Sequence, residues 1–218
     1  LAIPAAWWVS MYYFPLRRIL EWAIILPLAI PSYIAAMTYA DLLESSGVVQ
    51  YWIRDTFHIK FDEYWFPSIR SEGGMIFILT ITLYPYIYLL ARGAFLMQSR
   101  QMMETATILG YTRSRLFSCL SLSMARPALI AGAALVLMEA LADFGVASLY
   151  GVPVLTTGIY RAWQSMYDPN SAARMASLLL VAVMGVLWLE KRSRGEAQFQ
   201  NTTALYHPLD RWHTTTKH

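Results

Sequence analysis

Two carboxylates four residues apart, Glu139 and Asp143, interrupt the otherwise apolar run ALIAGAALVLMEALADFGVASLY that follows Pro127. At that spacing they share one helix face. With a rise of about 1.5 Å per residue and Pro127 at one interface, Glu139 lies roughly 18 Å and Asp143 roughly 24 Å into a hydrocarbon layer of about 30 Å. A carboxylate at such depth costs about 2.5–3.5 kcal/mol on insertion scales unless it is protonated, paired or facing water. The favoured reading is charge lining a water-filled path, and the alternative is a helix-to-helix bond to a Tyr or Ser. Tyr84 and Tyr88, on either side of Pro85 and Tyr86, also share a face. Their phenols need hydrogen-bond partners, either on a neighbouring helix or in a pore.

Other chemistry is excluded cheaply. His58, His207, His213 and His218 all fall outside the apolar runs, which removes intramembrane haem ligation and a buried Ser–His protease. None of the three lysines follows a phosphate-binding glycine loop, so the chain carries no P-loop. A single cysteine, Cys119, excludes an internal disulfide and a multi-cysteine metal site, and it is expected to be a buried filler. Asp143-Phe144-Gly145 copies a kinase triplet without a glycine-rich loop or catalytic loop. No catalytic residue, cofactor site or metal-ligand set is assigned.

These side chains must be held by membrane helices. The chain is 57% apolar and 14% charged, against about 25% charged in a soluble domain. Its net charge of +3 clusters at segment ends and reports topology rather than nucleic-acid binding. Residues 1–14, rich in Trp7, Trp8, Tyr12 and Tyr13, read as the end of a helix severed from a longer protein. Arg17 and Arg18 mark a cytoplasmic turn. Residues between Glu21 and Asp41 form a first span that Pro27 and Pro31 break or kink, for packing or for lining a path. Residues 44–73 carry three basic and five acidic groups and suit the outer side. Within them Val48–Phe57 reads as a surface helix, either a lid or a docking surface. Gly73 to Ala91 is the second span. Pro127 is placed as a first helical residue, with Ala128, Ala131, Gly132 and Ala134 as a close-packing surface. Gly145, Gly151, Pro153 and Gly158 predict a re-entrant segment over 144–160. Ser171–Leu189 is the fourth span, and the basic cluster Lys191 to Arg194 returns the chain to the cytoplasm. Residues 195–218 read as a polar linker.

Between two of these spans lies a basic interval, ETATILGYTRSRLFSCLSLSMAR, residues 104–126. Arg100, Arg113, Arg115 and Arg126 outweigh the single acid Glu104 across it and its leading edge, which puts the loop in the cytoplasm. A short helix ending at Gly110, which tolerates positive φ, is followed by an amphipathic helix with Leu116, Phe117, Leu120 and Met124 along one side.

The interval resembles the EAA loop of binding-protein-dependent ABC importer permeases. Glu104, Ala106 and Gly110 match that motif, Thr105 stands for its second Ala, and Ser123 stands where a closing Pro is expected. Leu26 to Tyr33, Tyr84 to Tyr86 with Leu89 to Phe95, Met138 to Gly145 and Thr156 to Trp163 look like the ferric-iron importer permeases, which fuse two permease copies in one chain. The resemblance implies an all-α polytopic bundle of the type I importer class. It implies a permease domain over 1–190 (incomplete at its N-terminus, with the coupling loop at 98–126) and a cytoplasmic linker over 191–218 toward a missing second half. The implied function is ATP-driven import, with ferric iron as the cargo, in a bacterial cytoplasmic membrane. A periplasmic binding protein would deliver cargo to 44–73 and 144–170. A partner ABC ATPase dimer would hold ATP and Mg and engage Glu104, Thr105, Ala106, Gly110, Arg113 and Arg115. Hard trivalent iron prefers oxygen ligands, so Glu139, Asp143, Tyr84 and Tyr88 are the candidate path residues. A permease for another solute (thiamine, phosphonate, sulfate), or a passive channel or membrane anchor, are the alternatives.

Overall fold

The structure, a computed structural model, describes residues 1–60, 63–98, 105–194 and 212–213. In chain order the helices are α1 (Ala2–Met11), α2 (Arg17–Ala23), a 3-10 turn at Leu26–Ala29, α3 (Ser32–Leu43), α4 (Val48–Phe57) and α5 (Glu72–Leu96). A helical turn at 105–108 comes next. It leads into α6 (Arg113–Ala142), α7 (Gly145–Tyr150), α8 (Leu155–Tyr160) and α9 (Pro169–Arg194). The expected all-α membrane bundle is therefore what forms. Among the described residues the only strand pairing is parallel and two residues long, β1 (Tyr12–Tyr13) with β2 (Trp212–His213). The rest of the expected linker over 195–218 lies outside the described residues.

Helices α5, α6 and α9 are each long and apolar enough to cross a membrane. The stretches Arg17–Ala29 and Ser32–Phe57 are long and apolar enough only when taken together, as a pair bent by 96°. The break falls where the two prolines predict it. Pro27 sits in the 3-10 turn and Pro31 caps α3, and a proline disfavours helical geometry in the residue before it, here Ile30. The surface helix expected at Val48–Phe57 forms with those bounds.

Local chemistry fixes the other ends. Asp168 caps α9, accepting from the backbone N–H of Asn170 and of Ser171, each at 3.1 Å, and from the Ser171 hydroxyl. Pro169 then fills the first helical position, where its missing N–H costs nothing. Ser71 caps α5 by accepting from the Gly74 N–H at 3.2 Å.

Two expectations are corrected. Pro127 does not start a helix but lies inside α6, because the chain is already helical from Arg113. An interior proline forfeits one bond, to the carbonyl four residues back, which is that of Ser123. Ahead of Pro127 the chain runs through a π-helical stretch, Leu116–Ser121, closed by the Leu122 N–H on the Phe117 carbonyl. Cys119 is exposed rather than buried.

The chain divides into two compact units. The first comprises Leu1–Pro27, Tyr84–Leu137 and Gly185–His218. Its core holds Ala6, Trp7, Tyr88, Phe95, Leu116 and Ala125, with the Trp7 and Phe95 rings edge to face at 5.3 Å. Gly132 is buried there, and a Cβ on it would lie 3.1 Å from the Ile87 Cα, so the small-residue surface does serve close packing. The second unit comprises Leu28–Leu83 and Met138–Met184. Ala36, Ala40, Ile69, Ile78, Val146 and Tyr150 form its core.

Candidate functional site

The basic interval is built from local hydrogen bonds upward. The turn at 105–108 ends when Gly110 takes φ +81°. Its N–H donates to the Thr107 carbonyl and the Tyr111 N–H to the Ala106 carbonyl, both at 3.0 Å. These two bonds are the Schellman pattern, which requires a residue in the left-handed region. A Cβ at Gly110 would meet nothing within 4 Å, so backbone conformation alone selects glycine. Thr112 then caps the next helix, its hydroxyl accepting from the Arg115 N–H at 3.5 Å.

The two arms of this bend face differently. Ala106 and Leu116 are buried in the core of the first unit, with Phe117 and Leu120 packed against it, as the amphipathic reading predicts, and Met124 is half-buried. Ile108 is 85% exposed and Leu109 70% exposed, so the tip presents apolar side chains outward. Thr105, Ala106, Leu109, Tyr111, Cys119 and Leu120 line a cavity of about 320 Å³ beside it. Arg113 lies 5.8 Å from the centre of the Tyr12 ring, and Arg115 is exposed. Glu104 falls outside the described residues.

Two polar contacts that sequence reasoning missed brace the interval. Gln98, just beyond α5 and buried, donates from its side-chain amide to the Ser121 carbonyl at 2.9 Å. Glu21 of α2 pairs with Arg92 of α5 and lies 3.6 Å from Arg17. Arg17 also donates to the Val9 carbonyl at 2.8 Å, so three segments of the first unit are tied through Glu21. The only sequence signal was that a lone acid stood near the basic turn. Its partner 71 residues away was not readable.

Of the candidate path residues, Tyr84 and Tyr88 belong to the first unit and Glu139 and Asp143 to the second. Tyr88 is fully buried, and its hydroxyl has no hydrogen-bond partner among the described residues. Glu139 is exposed on α6 and makes no polar side-chain contact among the described residues. Asp143 is engaged. One carboxylate oxygen accepts from the Val146 and Ala147 N–H groups at 2.9 and 3.4 Å, and the other from the Ser32 hydroxyl at 3.0 Å. The Asp143 carbonyl accepts from the Thr156 hydroxyl at 2.8 Å.

Asp143 thus joins α3 to the segment expected to be re-entrant, which is built of α7, α8 and a π-helical turn at Arg161–Ser165. The contact continues along α3. A Cβ on Gly145 would lie 2.8 Å from the Tyr33 Cβ, and the Tyr150 hydroxyl donates to the Ala36 carbonyl at 3.0 Å. Nearby in the second unit, α4 turns polar side chains inward. Gln50 donates to the Leu43 carbonyl and accepts from Tyr64, both at 2.8 Å, and Arg54 donates to Tyr64 and to the Ser45 carbonyl. Glu44 pairs with Arg70. Between them lies a cavity of about 510 Å³.

Comparison with known proteins agrees with this architecture. Residues 2–189 match the family described as "Binding-protein-dependent transport system inner membrane component". The chain is 28% identical over 189 residues to the sulfate transport system permease protein CysT of Escherichia coli, covering 84% of this chain and 65% of that protein. It is 23% identical over 202 residues to the Fe(3+)-transport system permease protein FbpB 2 of Haemophilus influenzae, covering 93% and 34%. A probable molybdenum ABC transporter permease of Haloferax volcanii is 25% identical, covering 83% and 63%. The chain therefore spans less than two thirds of these relatives. Among solved structures, the MetNI methionine ABC transporter matches with a TM-score of 0.68 at 16% identity, covering 88% of this chain and 83% of that one. A bacterial importer of the polysaccharide alginate matches with a TM-score of 0.67 at 17% identity, covering 88% and 71%. These likenesses carry the fold.

Proposed function

We propose, from the premise that the chain belongs to the family of binding-protein-dependent transport system inner membrane components, that it is the permease of an ATP-driven importer of a small inorganic ion. The observation that carries the reading is the bend at Gly110. A helical turn closed by two backbone bonds holds Ile108 and Leu109 outward on a buried footing of Ala106 and Leu116. Exposed apolar side chains on a rigid tip are what a partner subunit can grip. The partner is an ABC ATPase dimer that binds ATP and Mg and supplies the hydrolysis. Its closure moves the tip, and because the arm after Gly110 is continuous with a span in α6, the push reaches the membrane helices along one helix. The spans then alternate between outward and inward access.

The orientation follows from the basic residues: the interval from 98 to 126 and the C-terminus face the cytoplasm, and 44–73 with 144–170 receive cargo from a binding protein outside. A second permease half of the same parent chain completes the path, in keeping with the third of the H. influenzae relative that this chain covers. For cargo, ferric iron is supported by that relative and by the regional sequence phrases. Sulfate is the second reading, supported by the E. coli relative. Glu104, Thr105, Gly110, Arg113 and Arg115 serve coupling, and Glu139 with Asp143, Tyr84 and Tyr88 serve the path.

The test is co-purification. The wild-type chain should carry a nucleotide-binding subunit through detergent extraction, and Leu109→Glu should shed it. A passive channel or anchor would carry none. Reconstituted vesicles given radiolabelled ferric iron or sulfate, with the cognate binding protein and ATP, then decide the cargo.

A further inference from the structure

The re-entrant segment holds a cavity of about 220 Å³ lined by Ser148, Gly151, Thr157, Tyr160, Arg161 and Ser165, among others. That is below the roughly 300–1,000 Å³ of sites for drug-sized ligands. Its polar lining is one-sided. Arg161 is exposed and forms no ion pair or side-chain hydrogen bond among the described residues, and the hydroxyls of Ser148, Tyr160 and Ser165 likewise have no partner among them. Thr157 is the exception: its hydroxyl accepts from the Val154 N–H at 3.0 Å and donates to the Val154 carbonyl at 2.9 Å. No carboxylate lines the cavity. The two acids of the segment, Asp143 and Asp168, are held as helix caps. The Tyr160 ring is itself fixed against Phe144, centres 4.9 Å apart, which limits where its hydroxyl can go.

One guanidinium and three hydroxyls, gathered without a carboxylate, fit an anion that brings several oxygens. Guanidinium groups pair with such anions through two parallel N–H bonds, and hydroxyls complete the shell. We propose that Arg161, with Ser148, Tyr160 and Ser165, forms a receiving site for a tetrahedral oxyanion. The ligand is either a soluble ion of the sulfate type or the phosphate of a lipid headgroup. In treating the ion as cargo, the inference rests on the sulfate form of the importer reading, not the ferric-iron form. The site itself stands on the donors alone.

Binding should be measured on the full chain, purified in a maltoside detergent free of phospholipid, with and without its ATPase subunit. Radiolabelled sulfate and molybdate are the probes, and a short-chain phosphatidic acid is the lipid arm. Saturable sulfate binding, at least tenfold weaker in Arg161→Gln and weakened in the Ser148→Ala, Ser165→Ala pair, with Arg161→Lys intermediate, is the expected result. Saturable binding of the phosphatidic acid itself, lost in Arg161→Gln, without sulfate binding would keep the oxyanion chemistry and assign it to lipid. Binding of neither probe to a folded wild-type chain, or equal binding by Arg161→Gln, would overturn the site. A missing ATPase subunit tells instead against the importer reading and leaves the binding result to decide this one.

Discussion

Gln98 and Ser121, 23 residues apart, are joined by a side-chain amide bond to a backbone carbonyl at 2.9 Å, and both are buried. The bond closes the base of the basic interval. It falls on the last residue of the π-helical stretch, where the ordinary helical ladder is interrupted and a carbonyl needs another donor. Gln98→Leu keeps the volume and removes the donor. An orphaned buried carbonyl costs about 1–3 kcal/mol. The expected outcome is a lower thermal midpoint of the purified chain and faster amide exchange across 116–121.

Gly110 is held at φ +81° with open space around it. Gly110→Ala should cost about 1–2 kcal/mol from the left-handed conformation alone, and Gly110→Asn less. Gly110→Pro cannot adopt that φ. It should insert normally yet abolish substrate-stimulated ATP hydrolysis in vesicles, while basal expression is unchanged. Normal uptake by the proline variant would exclude the lever.

The Ser171 hydroxyl, followed by the Ser171 N–H, holds the half-buried Asp168 carboxyl below the ordinary aspartate value. A depressed folded value means that the cap's contribution is complete above the unfolded pKa of about 3.9 and is lost as pH falls through the folded value. Amide exchange at residues 170–172 should therefore stay slow from neutral pH down to about pH 4 and accelerate below it. In Asp168→Ala it should be fast throughout.

Asp143→Asn preserves one capping oxygen and can still meet Ser32, whereas Asp143→Ala loses three hydrogen bonds at once. The alanine variant should be the less stable by about 1–2 kcal/mol, read as a drop in thermal midpoint. Glu139→Gln touches none of these bonds, so a fall in uptake with an unchanged midpoint would mark Glu139 as a path residue. Full uptake by the Glu139→Gln, Asp143→Asn pair would remove that role from both.

Much of this was readable because it is decided locally. A glycine that ends a helix and prolines that break one act within a few residues, and Gly110, Pro27 and Pro31 sit where such rules put them. The helix at Val48–Phe57 was legible for the same reason. Partner choice was not. Nothing in the spacing of Glu21 and Arg92, or of Ser32 and Asp143, says that they meet, because folding of distant segments brings them together. Pro127 misled because the same residue suits a first turn and is tolerated inside a long helix. Cys119 misled because it was read by residue type: free cysteine is among the most buried residues, yet here it lies on the exposed side of the π-helical stretch.

That exposed thiol has a practical consequence. Cys119 is the chain's single cysteine, and it borders the cavity beside Leu109 and Tyr111. A maleimide fluorophore or nitroxide would attach there with no background mutations. Its signal would report when a motor subunit seats against the bend and releases it, cycle by cycle, in the wild-type sequence.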